Sequence, residues 1–224
     1  IRWLTSTAHF IAATAGSPDR LVGFVTDITE RRLAEDRLID QQRELERLSL
    51  CDPLTDIANR RQFDIRFDRA CRQATDGAGT LGFAIVDVDC FKQYNDSYGH
   101  HAGDAALRAV AQTLFRLAER PDDLVARYGG EEFVLILPDP ADFPATLERM
   151  RKGVEALGIM HRLSWTSSVV TISVGGVLVE AGQHADRQKL LERADAALYE
   201  AKRSGRNRVV TVPNEPEMRL LKLG

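Results

Sequence analysis

Apolar and polar positions fall into three regimes along the chain. Up to about residue 30 they alternate. Phe10-Ile11-Ala12-Ala13 and Leu21-Val22-Gly23-Phe24-Val25 flank the turn formers Gly16-Ser17-Pro18-Asp19, which predicts two strands joined by a hairpin. Two strands bury no core by themselves. From residue 29 to 50 the period lengthens. Leu38 and Leu45 stand one heptad apart, Ala34, Gln41 and Leu48 share the neighbouring seam, and Glu and Arg lie outside it. So narrow and polar a seam is a poor core face, and it predicts a parallel dimeric coiled coil rather than a helix packed on its own domain.

The third regime, residues 51–212, has apolar runs of strand length at 81–86, 124–127, 133–137 and 169–174. Helix-period stretches lie at 53–75, 102–118, 142–157 and 185–204. The order is strand, helix, hairpin, helix, strand. It predicts an α/β (α+β) fold of the split βαβ, ferredoxin-like or polymerase-palm-like kind, whose antiparallel-containing central sheet carries helices on one side and follows a long N-terminal helix. Residues 213–224 are expected to form a C-terminal tail. Such a fold carries no function by itself.

Composition narrows the choices. The chain has 224 residues, 44% of them hydrophobic, and a formal net charge of −3, as expected for one sizeable soluble domain with an appendage. That balance provides no field for nucleic acid or a membrane surface, so an anionic ligand must be held by a local cluster. Cys51, Cys71 and Cys90 are scattered and are expected to be reduced thiols of a cytoplasmic protein. His9, His100, His101, His161 and His184 show no ligand spacing. No apolar run reaches the roughly 18 residues of a membrane span. The opening Ile1-Arg2-Trp3 has no signal-peptide pattern and reads as a cut through a longer protein.

Two acidic groups carry the chemistry. Asp87-Val88-Asp89 ends the apolar strand Phe83-Ala84-Ile85-Val86, and Glu131-Glu132 follows Arg127-Tyr128-Gly129-Gly130. On neighbouring strands these carboxylates converge and repel unless a cation sits among them. An all-oxygen set favours Mg²⁺, with Mn²⁺ a possible substitute. Singly, each motif is an acidic strand end or a common Gly-Gly hairpin.

Together they resemble GGDEF diguanylate cyclases. Arg127-Tyr128-Gly129-Gly130-Glu131-Glu132-Phe133 is similar to the family's hairpin in its GGEEF form. The stretch from Asp87-Val88-Asp89-Cys90-Phe91-Lys92 through Asn95-Asp96 and Gly99-His100 to Gly103-Asp104 is similar to its longer block. Further similarity lies in Asp52-Pro53-Leu54-Thr55 with Asn59-Arg60-Arg61, in Thr171-Ile172-Ser173-Val174-Gly175, and in Ala194-Asp195-Ala196-Ala197-Leu198-Tyr199-Glu200-Ala201-Lys202 running to Gly205-Arg206-Asn207. Upstream, Asp27-Ile28-Thr29-Glu30-Arg31-Arg32 resembles the segment leading out of a PAS sensor sheet, which makes residues 1–28 the expected end of such a domain.

The resemblance implies a homodimeric enzyme, joined through its N-terminal helix, that condenses two GTP into cyclic di-GMP. Asp87, the Val88 carbonyl and Glu131 would hold the metal. Glu131 would also help take the proton of the attacking hydroxyl. Lys92 and the amides of Cys90 and Phe91 would cradle phosphates with Lys202 and Arg206, while Asn95 and Asp104 would read guanine. Glu132 is either a second ligand or a structural partner. Arg120 and Asp123, an RxxD ahead of the hairpin, would bind cyclic di-GMP as an inhibitor, completed by Arg149 or Arg151 of a second copy. For Asp104 the bland alternative is a helix cap or first-turn acid; for Lys202 and Arg206 it is a solvated basic face. Asp56-Ile57 stand where the family usually has Gly-Leu, and Cys90 where an aromatic is frequent. A non-catalytic module that binds GTP or cyclic di-GMP, or a cyclase making another dinucleotide, are the competing readings.

Overall fold

The computed structural model describes residues 2–11 and 20–214. The chain divides into two units, residues 1–49 and 50–224. In the first, β1 (Leu4–Ile11) pairs antiparallel with β2 (Arg20–Asp27), Leu4 standing opposite Asp27. The expected turn at residues 16–19 lies outside the described residues. The 22-residue helix α1 (Thr29–Leu50) follows. Its start is fixed by polar contacts: Thr29 N donates to Asp27 Oδ1 (2.9 Å), and Trp3 N donates to Thr29 Oγ1 (2.8 Å). Trp3, Leu4, Phe24, Val25 and Leu38 are all exposed. The side chains of Leu45 and Leu48 lie outside the described residues.

The second unit runs β3 (Ala58–Asn59), α2 (Arg60–Thr75), β4 (Leu81–Val88), α3 (Phe91–Tyr98), α4 (His100–Leu117), β5 (Leu124–Gly129), β6 (Glu132–Pro138), α5 (Phe143–Glu155), β7 (Ile172–Val179), α6 (Arg187–Arg203) and β8 (Val209–Pro213). Its sheet has the order β3-β5-β6-β4-β7-β8. The four central strands pair antiparallel with one another, and the short outer strands β3 and β8 pair in parallel with β5 and β7.

Helices cover both faces of this sheet, not one. Ala84, Val86 and Val88 of β4 pack with α4 and α5 through Val110, Leu114, Leu147 and Met150. Leu81 and Phe83, pointing the other way, pack with Phe63 and Phe67 of α2 and Leu190 and Ala194 of α6. The reason is visible in β4 itself. Its apolar residues do not alternate with polar ones, so both faces need cover.

Element boundaries move where backbone contacts override the apolar pattern. The helix expected from residue 53 starts at Arg60, because Asn59 caps it by accepting from Gln62 N (3.0 Å). The strand expected at 169–174 lies at Ile172–Val179 and continues through Gly175 and Gly176. Helix α3 and strands β3 and β8 add to the elements read from the pattern. Gly175 is a packing glycine: a Cβ there would run into the Ala194 carbonyl and Leu198 amide of α6. No helix among the described residues is long and apolar enough to cross a membrane.

Because α6 lies directly on Gly175, Gly175→Ala must push helix and sheet apart. Overpacking of this kind costs about 1–3 kcal/mol. The urea unfolding midpoint of the variant is expected to fall accordingly, whereas Gly182→Ala, with open space around it, shows only the smaller cost of its left-handed backbone.

Candidate active site

The site forms where β4 ends in the middle of the sheet. Asp87 is flanked by Glu132 on β6 and Ser173 on β7, and Val88 N donates to the Glu131 carbonyl (3.3 Å). The chain then turns through Cys90 in the left-handed region (φ 58) into α3, which no side chain caps. The amides of Phe91 and Lys92 are thus left for solvent or an anion.

Asp87 is buried, and Lys202 Nζ of α6 lies 2.9 Å from its Oδ2. Burial pushes its carboxyl up to about 6. Lys202 pulls against that, while Glu131 and Asp89 add to the rise through repulsion. Glu131 and Glu132 are half-buried. Glu132 sits in the β6 ladder opposite Asp87, which gives it a place in the sheet.

Asp89 belongs to the same acidic stretch but is spent on structure. It is 2% exposed, and its carboxylate accepts from Thr171 Oγ1 (2.8 Å), Ser173 Oγ (2.7 Å) and Asn207 N (3.0 Å). Those partners all lie within motifs legible in the sequence. Arg206, just before Asn207, is beyond the end of α6 in the left-handed region (φ 62). It is therefore not on one helix face with Lys202. Its guanidinium lies 5.3 Å from the ring centre of Trp165. Lys92 is exposed on the first turn of α3.

Asn95 Oδ1 is buried without a partner, a condition that costs about 1–3 kcal/mol unless a ligand donor meets it. It faces Gly103, where any Cβ would collide with it. Asp104 is the next residue, half-buried in the second turn of α4, whose N-cap is Gly99. Asp104 therefore does not cap the helix.

Arg120 and Asp123 close their own tight turn. Arg120 N donates to Asp123 Oδ2 (3.1 Å) and Asp123 N to the Arg120 carbonyl (3.0 Å). Arg120 Nη1 also donates to the carbonyls of Pro138 (2.6 Å) and Asp139. Asp123 Oδ1 is buried and unpartnered, and burial raises that carboxyl's pKa. The turn meets β6 at Pro138, at the far end from Glu132, about 20 Å along a strand of this length. Arg151 is held by Glu148, Glu155 and Asn207. Arg149 is half-exposed and lies 3.7 Å from Glu119, the neighbour of Arg120.

Two further features escape the sequence pattern. Arg127 Nη1 reaches both Asp52 oxygens (3.1 and 3.3 Å), and its Nε donates to the Gly130 carbonyl (2.9 Å). The hairpin is thereby tied to the start of the second unit. Burial raises the Asp52 pKa, but the hydrogen bonds from Thr55 and Arg127 outweigh it and the net shift is downward. Buried His161 bonds the Cys90 carbonyl through Nε2 (3.0 Å).

A central sheet with buried and half-buried acids at the end of β4, a lysine among them and an uncapped helix beside them makes a domain of the palm type. Residues 49–208 match the family described as "Diguanylate cyclase, GGDEF domain", and the chain belongs to the GGDEF family. It is 41% identical over 167 residues to the response regulator PleD of Caulobacter vibrioides, covering 73% of this chain and 36% of that protein. It is 38% identical over 160 residues to diguanylate cyclase DosC of Escherichia coli K12, covering 70% of this chain and 34% of that one. The chain thus spans about a third of the length of these relatives. The crystal structure of the coiled coil and GGDEF domain of DgcB from Caulobacter crescentus in complex with c-di-GMP matches with a TM-score of 0.70 at 38% identity, over 83% of this chain and all of that one.

The raised Asp87 pKa has a measurable consequence. Between 3.8 and about 6 the folded chain keeps a proton that the unfolded chain has lost, so stability falls as pH rises through this window. Asp87→Asn removes the effect. Without divalent metal the variant is expected to unfold at higher denaturant than the parent at pH 7, by an increment on the order of 1–2 kcal/mol, with that increment shrinking towards zero by pH 4. Urea titrations at both pH values measure it.

Proposed function

We propose that this chain condenses two GTP into cyclic di-GMP with release of two pyrophosphates. The observation that carries this reading is the buried Asp87, crowded by Glu131 and already paired with a cation, Lys202, beside the uncapped start of α3. Asp87, the Val88 carbonyl and Glu131 form an all-oxygen set suited to a divalent cation such as Mg²⁺, or Mn²⁺ in its place. Among the described residues no group of three or more His, Cys, Asp or Glu side chains could hold a metal by itself. Two carboxylates and a carbonyl, with nucleotide phosphates supplying the rest, suit an ion that keeps few protein ligands. When bound, the ion lowers the pKa of the attacking hydroxyl and offsets charge on the phosphate under attack.

The side chains divide the remaining work. Asn95 Oδ1 and the Asp104 carboxylate accept from the N1–H and N2–H₂ donors of guanine, a pair that adenine lacks. Lys92 and the amides of Cys90 and Phe91 take phosphate oxygens, joined by Arg206 and by Lys202 once it turns from Asp87. Glu131 takes the proton of the 3′-hydroxyl as its oxygen bonds the α-phosphorus of the other GTP and pyrophosphate leaves. One site holds one GTP, so two copies must face each other. A coiled coil along Leu38, Leu45 and Leu48 would keep them close, with the PAS-like end upstream setting its register. Cyclic di-GMP is also the inhibitor, bound by Arg120 and Asp123, and Arg149 of a second copy completes that site, since its one 3.7 Å pairing with Glu119 is looser than the contacts of Arg151 with Glu148 and Glu155 at 2.8 Å.

Incubation with GTP and Mg²⁺, followed by chromatography, is expected to yield cyclic di-GMP, with specific activity rising as protein concentration pairs the copies. Asp87→Asn and Glu131→Gln each abolish the product. A parent that binds GTP and forms no product would show the domain to be a binding module instead.

Arg120→Ala is expected to free the reaction from inhibition by added cyclic di-GMP while initial rates stay the same or rise. Initial-rate assays across ~1–100 µM product decide it, a range typical of mid-strength nucleotide affinity. Equal inhibition of parent and variant would refute the RxxD assignment.

A further inference from the structure

The segment 160–169, between α5 and β7, belongs to none of the motifs, yet it is built onto the site. Its base closes as a bridge between Met160 and Val169, with His161 N donating to the Ser168 carbonyl (2.8 Å). From there it is fastened to both ends of α3. At the start of that helix, His161 Nε2 meets the Cys90 carbonyl (3.0 Å), and Thr166 Oγ1 lies 3.8 Å from Cys90 Sγ. At its end, Arg162 N donates to the Tyr98 hydroxyl (3.1 Å). His161 stands edge-on to Tyr94, ring centres 5.2 Å apart, and is 1% exposed. A segment fixed at this many points holds its tip in place.

At that tip Trp165 is 63% exposed. A large exposed indole on an anchored loop has no part in the core. Its contact is with the Arg206 guanidinium, 5.3 Å from the ring centre, within the range of a cation–π interaction. The Arg206 backbone is set independently. Its N donates to the Ala201 carbonyl (3.0 Å), and the next amide, Asn207 N, is held by Asp89 (3.0 Å). The guanidinium is met from two sides, by the Trp165 ring and by the Lys202 carbonyl, to which Arg206 Nη1 donates at 3.5 Å.

We propose that Trp165 is a positioning residue, a platform that presets the Arg206 guanidinium for the β- and γ-phosphates of GTP. This rests on the reading of Arg206 as a phosphate ligand. A free arginine loses rotamer entropy when it binds; one already seated on an indole has lost part of it beforehand. The flat ring itself takes up none of the guanidinium N–H groups, as a carboxylate partner would. Trp165 touches no reacting atom, so its effect falls on nucleotide affinity and not on the bond-making step.

The probe is 3′-deoxy-GTP, which lacks the attacking hydroxyl and occupies the site without turnover, titrated calorimetrically in the presence of Mg²⁺. Trp165→Ala is expected to weaken its binding about two- to fivefold, the range of a cation–π contact at an exposed site, and Trp165→Phe to restore most of the loss. GMP, which lacks the two outer phosphates, should bind all three proteins equally, and this also reports an intact fold. In an Arg206→Ala background Trp165→Ala should add nothing. The proposal is overturned by unchanged binding in Trp165→Ala, by an equal loss for GMP, or by the same loss with and without Arg206. If Arg206→Ala alone leaves 3′-deoxy-GTP binding intact, it is the phosphate reading of Arg206 that fails, and the proposal falls with it.

Discussion

The carboxylate of Asp89 is the knot on which the acidic end of the sheet depends. It draws together the end of β4, the start of β7 through Thr171 and Ser173, and the bend after α6 through the Asn207 amide. These segments are far apart in sequence; β4 supplies the acceptor, and the other two supply the donors Thr171, Ser173 and the Asn207 amide. Removing the acceptor would orphan them together, and the loss from such a network exceeds that of a single bond. What the knot fixes is position. Asp87, two residues before it, and Arg206, one residue before Asn207, are both placed by it.

Around this knot the site gathers charges that do not favour one another's company. Asp87 is pushed up by burial and by its acidic neighbours, and Lys202 relieves only part of that. Lys202 is the counter-ion of that carboxylate, with Nζ 2.9 Å from Asp87 Oδ2. The cost is carried by a well-packed sheet with helices on both faces, so a locally unfavourable arrangement persists. Active sites commonly sit at such places.

Much of this was legible in the residues, for identifiable reasons. The unbroken apolar run of β4 followed by Asp87 gave both the strand and the acid at its end. The Gly-Gly pair marked the hairpin, and the GGDEF-like blocks all lie within residues 49–208, which the family match covers. Other features were hidden. Helix α3 is only 8 residues long and starts from a left-handed Cys90, where no glycine or cap residue signals a turn. Gly175 looked like a strand end because a glycine needed for close packing carries the same letter as one needed for a turn. Asp89 read as one more acid beside Asp87, since sequence cannot tell a carboxylate met by three donors from one met by none. Residues 160–169 follow no periodicity, and their anchoring to α3 exists only in three dimensions.

The distance between the two ends of β6 has its own consequence. Glu132 opens that strand and the Arg120–Asp123 turn meets it at Pro138, with paired strands on either side between them. The strand holds its two ends about 20 Å apart. If product binds at the far end, it acts by standing where a second copy would have to come, and the chemistry at the near end is left undisturbed. The two ends are then free to drift separately through evolution: feedback can be sharpened, dulled or discarded by substitutions that never touch the machinery of bond formation.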